Sequence, residues 1–147
     1  MTPRPATTAD AELLAVMHRA AFEDPWAAAE IGSLLDGPGG FALIAEGACG
    51  FILCRSIGGE AEILTLAVEP AARRRGVARA LVEAAATIAI EKGAEVFFLE
   101  VAEDNAAAIA LYRSTQFNWA GRRPGYYRSG DQVTDALVMR RRLNSAG

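Results

Sequence analysis

"LAVEPAARRRGVARALVEAA", Leu66 to Ala85, decides the fold of this chain, because it reads as a strand, a turn and a helix in immediate succession. The strand, begun near Ala61, runs to Val68 and stops at Pro70, which has no N–H to give a sheet ladder. Arg73, Arg74 and Arg75 then crowd against Gly76, ahead of a segment whose Val77, Leu81, Ala85 and Ile88 share one helical stripe. That helix closes at "EKGA", with Gly93 as a left-handed cap. "AEVFFLEV" follows as an almost continuous apolar run, the pattern of a strand buried on both faces. Strand, loop, helix and strand from Ala61 to Val101 make a βαβ unit, which requires its two strands to be parallel.

Working outward, "TTADAELLAVMHRAAF" has Leu13, Leu14, Met17 and Ala21 at helical spacing, with Thr7 or Thr8 as its cap. "AAAEIGSLL" predicts a second, short helix ending near "DGPGG". "FALIAE" and "GFILCRS", joined through "EGACG", read as an antiparallel hairpin. On the other side, "AAAIALYRSTQF" has high helix propensity with Asp104 or Asn105 as its cap. "FNWAGRR" and "TDALVMRRRL" supply two last strands, and "NSAG" is a loose tail. The expected fold is α/β in the broad α+β sense: a mixed, mostly antiparallel sheet with a central parallel pair and helices on both faces. Residues 1–147 are expected to form a single domain, its core running from about 3 to 142.

Composition narrows the function. Hydrophobic residues make up 52% and charged residues 22%, a globular balance, and the net charge of −3 argues against a broad nucleic-acid-binding face. No apolar run approaches the ~20 residues of a membrane span, and "MTPRPATTAD" lacks the apolar core of a secretory signal, so a cytoplasmic protein is expected. The two cysteines, Cys49 and Cys54, suit neither a disulfide framework nor a zinc site and read as small apolar residues of a strand pair. The single histidine, His18, reads as an ordinary helical residue, which leaves little basis for a histidine-based nucleophile or a metal centre.

The arginines of an acidic chain therefore need a local explanation. Their loop lies between a strand's carboxyl end and a helix's amino end, where unpaired N–H groups and the helix dipole favour an anion. Gly76 and the small Ala78 admit close approach of a phosphate, and Arg74, Arg75 and Arg79 can add charge-assisted hydrogen bonds. Neither a dinucleotide-binding glycine fingerprint nor a Walker loop is present. Taken alone, the loop leaves two readings open: a phosphate cradle, or a solvated arginine turn that contacts RNA.

A resemblance separates them. "LAVEPAARRRGVARALVEAA" followed by "FLEVAEDNAAAIALYRSTQF" resembles the acetyl-CoA-binding core of the GNAT superfamily of N-acetyltransferases, with pattern V-x-P-x-x-[QR]-x-x-G-x-[GA] met by Val68, Pro70, Arg73, Gly76 and Ala78. The likeness runs from about Thr7 to Arg140. Within the superfamily, "LEVAEDNAAAIALYRSTQFN", the pair Tyr126 and Tyr127, and "AFEDPW" look most like the RimI type, which acetylates the N-terminal alanine of a small-subunit ribosomal protein. One position departs: Gln116 stands where the family segment L-Y-x-x-x-G-F has glycine.

The resemblance implies acetyl-CoA as cosubstrate, no metal, and a protein N-terminus, expected to be that of a ribosomal protein, as acceptor; it implies no nucleic acid or membrane partner and sets no oligomeric state. By the same resemblance Glu100 is the general base, acting through water, and Tyr112 the general acid. The backbone of Leu66, Ala67 and Val68 polarises the acetyl carbonyl, and Arg74, Arg75, Gly76, Val77, Ala78 and Arg79 hold the pyrophosphate. Asn105 contacts the cofactor. The residues themselves agree for Glu100, an isolated carboxylate at an apolar strand end, where loss of water favours the neutral acid. Trp26, Tyr126, Tyr127 and the "RRPG" loop are candidate walls of a peptide groove, or else packing of helix and hairpin. A small-amine acetyltransferase, acting on a polyamine or aminoglycoside, and a non-catalytic acyl-CoA-binding module are the alternatives.

Overall fold

The computed structural model describes residues 2–129 and 132–143; the expected loose tail, Asn144 to Gly147, lies outside them. Helices α1 (Ala11–Ala21), α2 (Ala28–Asp36), α3 (Val77–Glu91) and α4 (Ala106–Ser114) accompany strands β1 (Arg4–Pro5), β2 (Gly40–Ile44), β3 (Gly50–Ile57), β4 (Glu60–Val68), β5 (Val96–Ala102), β6 (Asn118–Ser129) and β7 (Gln132–Arg142). The strands form one seven-stranded sheet in the order β1-β2-β3-β4-β5-β7-β6. Only β4 and β5 are paired in parallel, as the βαβ reading requires; the other neighbours are antiparallel. The two-residue β1, which pairs with Leu43 and Ile44, carries no sequence signal of its own.

Local chemistry explains the element ends. Thr7 caps a 3-10 turn over Thr8–Asp10, with Asp10 returning a bond to the Thr7 N–H at 2.9 Å, and α1 begins only after that turn. Gly93 ends α3 at φ +89°, and the Ala94 N–H reaches back to the Ala89 carbonyl at 2.9 Å. Asn105 caps α4 by accepting from the Ala108 N–H at 3.2 Å.

Two cores sandwich the sheet. Leu81, Val82, Ala85 and Ala89 of α3 cover Ile52, Cys54, Ile63, Phe97 and Leu99, whereas Leu14, Met17 and Ile31 of α1 and α2 cover Ala42, Ile44, Phe51 and Leu53. The second layer ends at β4, and this corrects the expectation for β5. Phe97, Leu99 and Val101 are buried under α3, but Val96, Phe98 and Glu100, on the other face, are only partly covered. No described helix packs over that side of β5, so its continuous apolar run does not mean burial on both faces. Cys54 is fully buried in β3 as expected, whereas Cys49 sits in the turn before it, its thiol directed at the Glu46 carbonyl. No described helix is long and apolar enough to cross a membrane.

Candidate active site

The site begins where the parallel pair stops. β4 and β5 are joined only at Glu60↔Val96, Ala61↔Phe97 and Glu62↔Phe98; beyond that β4 follows β3 while β5 follows β7 as far as Ala102↔Ala136. A register shift opposite Leu53 and Cys54 leaves Leu64 without a partner and bends β4 away. The wedge between the two strands is a cleft of about 960 Å³, walled by Leu66 and Val68 of β4, by Leu99 to Ala102 of β5, and by residues of α1, α4 and β6.

Strand alternation decides which backbone groups face this cleft. The Glu69 N–H donates to the Cys49 carbonyl at 2.8 Å, so the Ala67 N–H also points toward β3, while the N–H groups of Leu66 and Val68 point into the opening. Ala67 is 1% exposed and does not line the cleft. Of the three residues expected to polarise a carbonyl, two have their donors aimed at the wedge.

At the carboxyl end of β4 the arginine loop closes the cleft. Arg74 (φ +67°) and Gly76 (φ +78°) are both left-handed, and alternation of this kind turns successive N–H groups inward as an anion-binding nest. Among the described residues, no backbone N–H from Arg74 to Arg79 donates to a protein oxygen. A Cβ at Gly76 would meet no atom within 4 Å, so the loop stays open above the glycine. A second hollow of about 190 Å³ lies on it, lined by Arg74, Gly76, Val77, Ala78 and Arg79 and sharing Val68, Arg73, Arg74, Ala78 and Leu111 with the cleft. These free donors and open space fit a pyrophosphate. The arginine side chains take different places around the turn. Arg73 Nε donates to the Val68 carbonyl at 3.2 Å and shapes the turn, Arg79 donates to the Ser114 carbonyl at 3.1 Å and ties α3 to α4, and Arg75 lines neither hollow.

Glu100 and Tyr112 both line the cleft. Tyr112 is 8% exposed, and burial pushes its phenol up, reinforced by Cys54 and Tyr127, so the hydroxyl is neutral throughout the physiological range. Glu100 is not the isolated carboxylate its local sequence suggests: Arg123 of β6 donates to it at 2.6 Å. The Arg123 guanidinium also lies 4.2 Å from the Tyr126 ring centre, and the Tyr127 hydroxyl is directed at the Glu100 carbonyl at 3.4 Å. Tyr127 and Trp26 line the cleft; Tyr126 packs outside it. The expected "RRPG" loop is instead an irregularity inside β6, held by the Gly125 N–H donating to Asp135 at 2.8 Å. Asn105 lines the cleft while its Oδ1 caps α4.

Two contacts at the site escape sequence reasoning. Arg123 lies 23 positions from Glu100 and meets it only through the order β5-β7-β6. His18, taken as an ordinary helical residue, is 2% exposed yet borders the cleft, with Phe22, Glu23 and Asp24 beside it. "FEDPW" marks a turn, and nothing in it says that the turn folds over the open side of β4.

The chain belongs to the acetyltransferase (GNAT) family, whose model matches residues 11–117. It is 39% identical over 89 residues to the ribosomal protein bS18-alanine N-acetyltransferase of Escherichia coli strain K12, a match covering 60% of each chain. It is 35% identical over 144 residues to the N-alpha-acetyltransferase RimI of Mycobacterium tuberculosis, covering 92% of this chain and 88% of that one. In fold it is similar to the crystal structure of the ribosomal-protein-S18-alanine N-acetyltransferase from Escherichia coli, with TM-score 0.85 and 31% identity over 99% of this chain and 97% of the other.

Proposed function

We propose that this chain transfers the acetyl group of acetyl-CoA to the α-amine of a protein N-terminus, the N-terminal alanine of a small-subunit ribosomal protein being the acceptor. The observation that carries this reading is that the hollow over the free N–H groups of Arg74 to Arg79 shares its wall with the cleft that Glu100 and Tyr112 line. Likeness in sequence and fold to enzymes named for the alanine of a ribosomal protein supports the choice of acceptor.

Acetyl-CoA, when bound, supplies an activated thioester; the remaining chemistry falls to the chain. The nest at Arg74 to Gly76 and the amino end of α3 hold the pyrophosphate. The cleft-facing N–H groups of Leu66 and Val68 receive the carbonyl oxygen and stabilise the charge it gains. Glu100 accepts the proton of the attacking amine through water, its carboxylate oriented by Arg123. Tyr112, neutral and buried, delivers a proton to the departing sulfur. An α-amine has a reference pKa of about 7.7–8.0 against about 10.4 for lysine, so roughly a tenth is already uncharged at neutral pH and the base has little to do. A carboxylate held in an ion pair suits that acceptor better than a lysine side chain.

Intact-mass analysis of a peptide panel with acetyl-CoA tests the reading: free N-terminal alanine, other free N-termini, and a blocked N-terminus carrying an internal lysine. Acetylation confined to alanine and similar small N-termini is expected. A panel left unmodified, with turnover of free polyamines instead, would refute it.

A further inference from the structure

The mechanism leaves one buried titratable group of the cleft unused. His18 on α1 is hydrogen-bonded at both ring nitrogens: the Trp26 backbone N–H donates to Nδ1 at 3.1 Å, and Nε2 lies 3.1 Å from the Thr65 hydroxyl of β4. A nitrogen that accepts from an amide carries no proton, so the proton resides on Nε2 and is donated to Thr65. The ring is also stacked on Phe22 at 4.4 Å and on Trp26 at 5.1 Å, with Phe51 of β3 tilted against it at 6.2 Å. Thus one neutral imidazole joins the floor of the cleft, at Thr65, to both ends of the Phe22–Trp26 segment that walls it.

We propose that His18 is a positioning residue for the acceptor end of the cleft: as the neutral Nε2–H tautomer it pins the Phe22–Trp26 segment to β4, and protonation releases that segment. The pin itself stands on geometry; its role toward the acceptor rests on the function proposed above. A proton on Nδ1 would replace the acceptor that faces the Trp26 N–H with a donor and break that bond, leaving the amide and the new N–H facing each other. Of the groups packed around the ring, Thr65 offers a hydroxyl and Phe51 only an aromatic face. Glu30 of α2 favours the charged form, but burial outweighs it and holds the imidazole below its ordinary value. Glu23 and Asp24 line the same end of the cleft, on the segment that would be released.

Because the chain has one histidine, NMR of tag-free protein reports on it without ambiguity. At pH 7.5 the nitrogen shifts should show a bare Nδ1 and a protonated Nε2. On acidification the ring and the Trp26 amide should titrate together, with a midpoint below the ordinary 6.5. In steady-state kinetics on an N-terminal alanine peptide, His18→Phe should raise the acceptor KM about tenfold, the worth of a lost buried hydrogen bond, with kcat and the acetyl-CoA KM within about twofold. His18→Gln, which retains one acceptor and one donor, should fall between. A protonated Nδ1 at pH 7.5, a Trp26 amide indifferent to the titration, or an acetyl-CoA KM that rises as much as the acceptor KM would overturn the proposal. Should His18→Phe not fold, the wild-type titration and His18→Gln decide. If the wild type acetylates no peptide N-terminus, the proposed function fails while the titration still decides the pin, and the KM comparison is made on the small amine that is turned over.

Discussion

Replacing Gln116 by glycine should stabilise the protein. The residue ends α4 at φ +74°, in the left-handed region. Its N–H donates to the Arg113 carbonyl at 3.1 Å and the next N–H, of Phe117, to the Tyr112 carbonyl at 2.9 Å, the paired bonds of a Schellman ending with Gln116 at the position usually held by glycine. The apolar contact that accompanies such an ending is Phe117 on Tyr112, edge to face at 5.7 Å. A left-handed conformation costs a residue with a Cβ about 1–2 kcal/mol. Glycine removes that strain but adds about 0.5–1 kcal/mol of unfolded-chain entropy. Gln116→Gly should therefore gain about 0.5–1 kcal/mol, or roughly 1–4 °C in Tm for a chain of this length. Thermal and urea unfolding measure it, and kcat should hold because the bonds that seat Tyr112 are unchanged. A lowered urea midpoint would refute the reasoning, since it would mean that the Gln116 side chain stabilises more than its backbone strain costs. Gln116→Val, which places a branched Cβ at the same φ, should shift the midpoint the other way.

Tyr112→Phe keeps the ring against Phe117 and removes the proposed proton donor; kcat should fall by about 10²–10⁴ with acetyl-CoA binding retained, as single-turnover assays and calorimetry would show. Glu100→Gln should lower kcat/KM most at the acid side of the profile, where the free amine is scarce, and a variant as fast as wild type would remove Glu100 from the mechanism. Gly76→Ala meets no atom, so the strain of φ +78°, partly offset by a stiffer unfolded chain, should cost about 0.5–1 kcal/mol in stability and weaken the acetyl-CoA Kd by titration. His18 is held below its ordinary value of 6.5, so between that pH and its folded value the unfolded chain binds more protons. Stability should then fall as pH drops through 6.5. The raised Glu62 acts with the opposite sign, between 4.5 and its folded value, and cancels when His18→Gln is compared with wild type; that variant's urea midpoint should depend less on pH over the window.

Much of this molecule is written in adjacent residues. The strand stop at Pro70, the left-handed demand met by Gly76 and Gly93, and the Asn105 cap are choices of φ, ψ and local hydrogen bonding, which neighbours along the chain settle. The stripe of α3 and the parallel pair follow from periodicity and from the handedness of the crossover. Even the odd residue of the family pattern, Gln116, was visible as a departure, though only its φ shows that the turn kept the glycine geometry.

What tertiary structure decided are matters of register and layer coverage. Whether Leu66, Ala67 or Val68 presents an N–H to the cleft depends on how β4 pairs with β3, because a one-residue slip exchanges the two edges. β5 reads as doubly buried, yet the helix layer over β2 to β4 stops short of it and leaves the Glu100 face open. The partners of two titratable cleft residues, Arg123 for Glu100 and Thr65 for His18, lie 23 and 47 positions away. No local propensity encodes such distances. Sequence alone determined the elements, their order and the anion-ready turn, because those are short-range; the width of the cleft, the donors that face it and the neighbours of Glu100 and His18 come from long-range strand pairing.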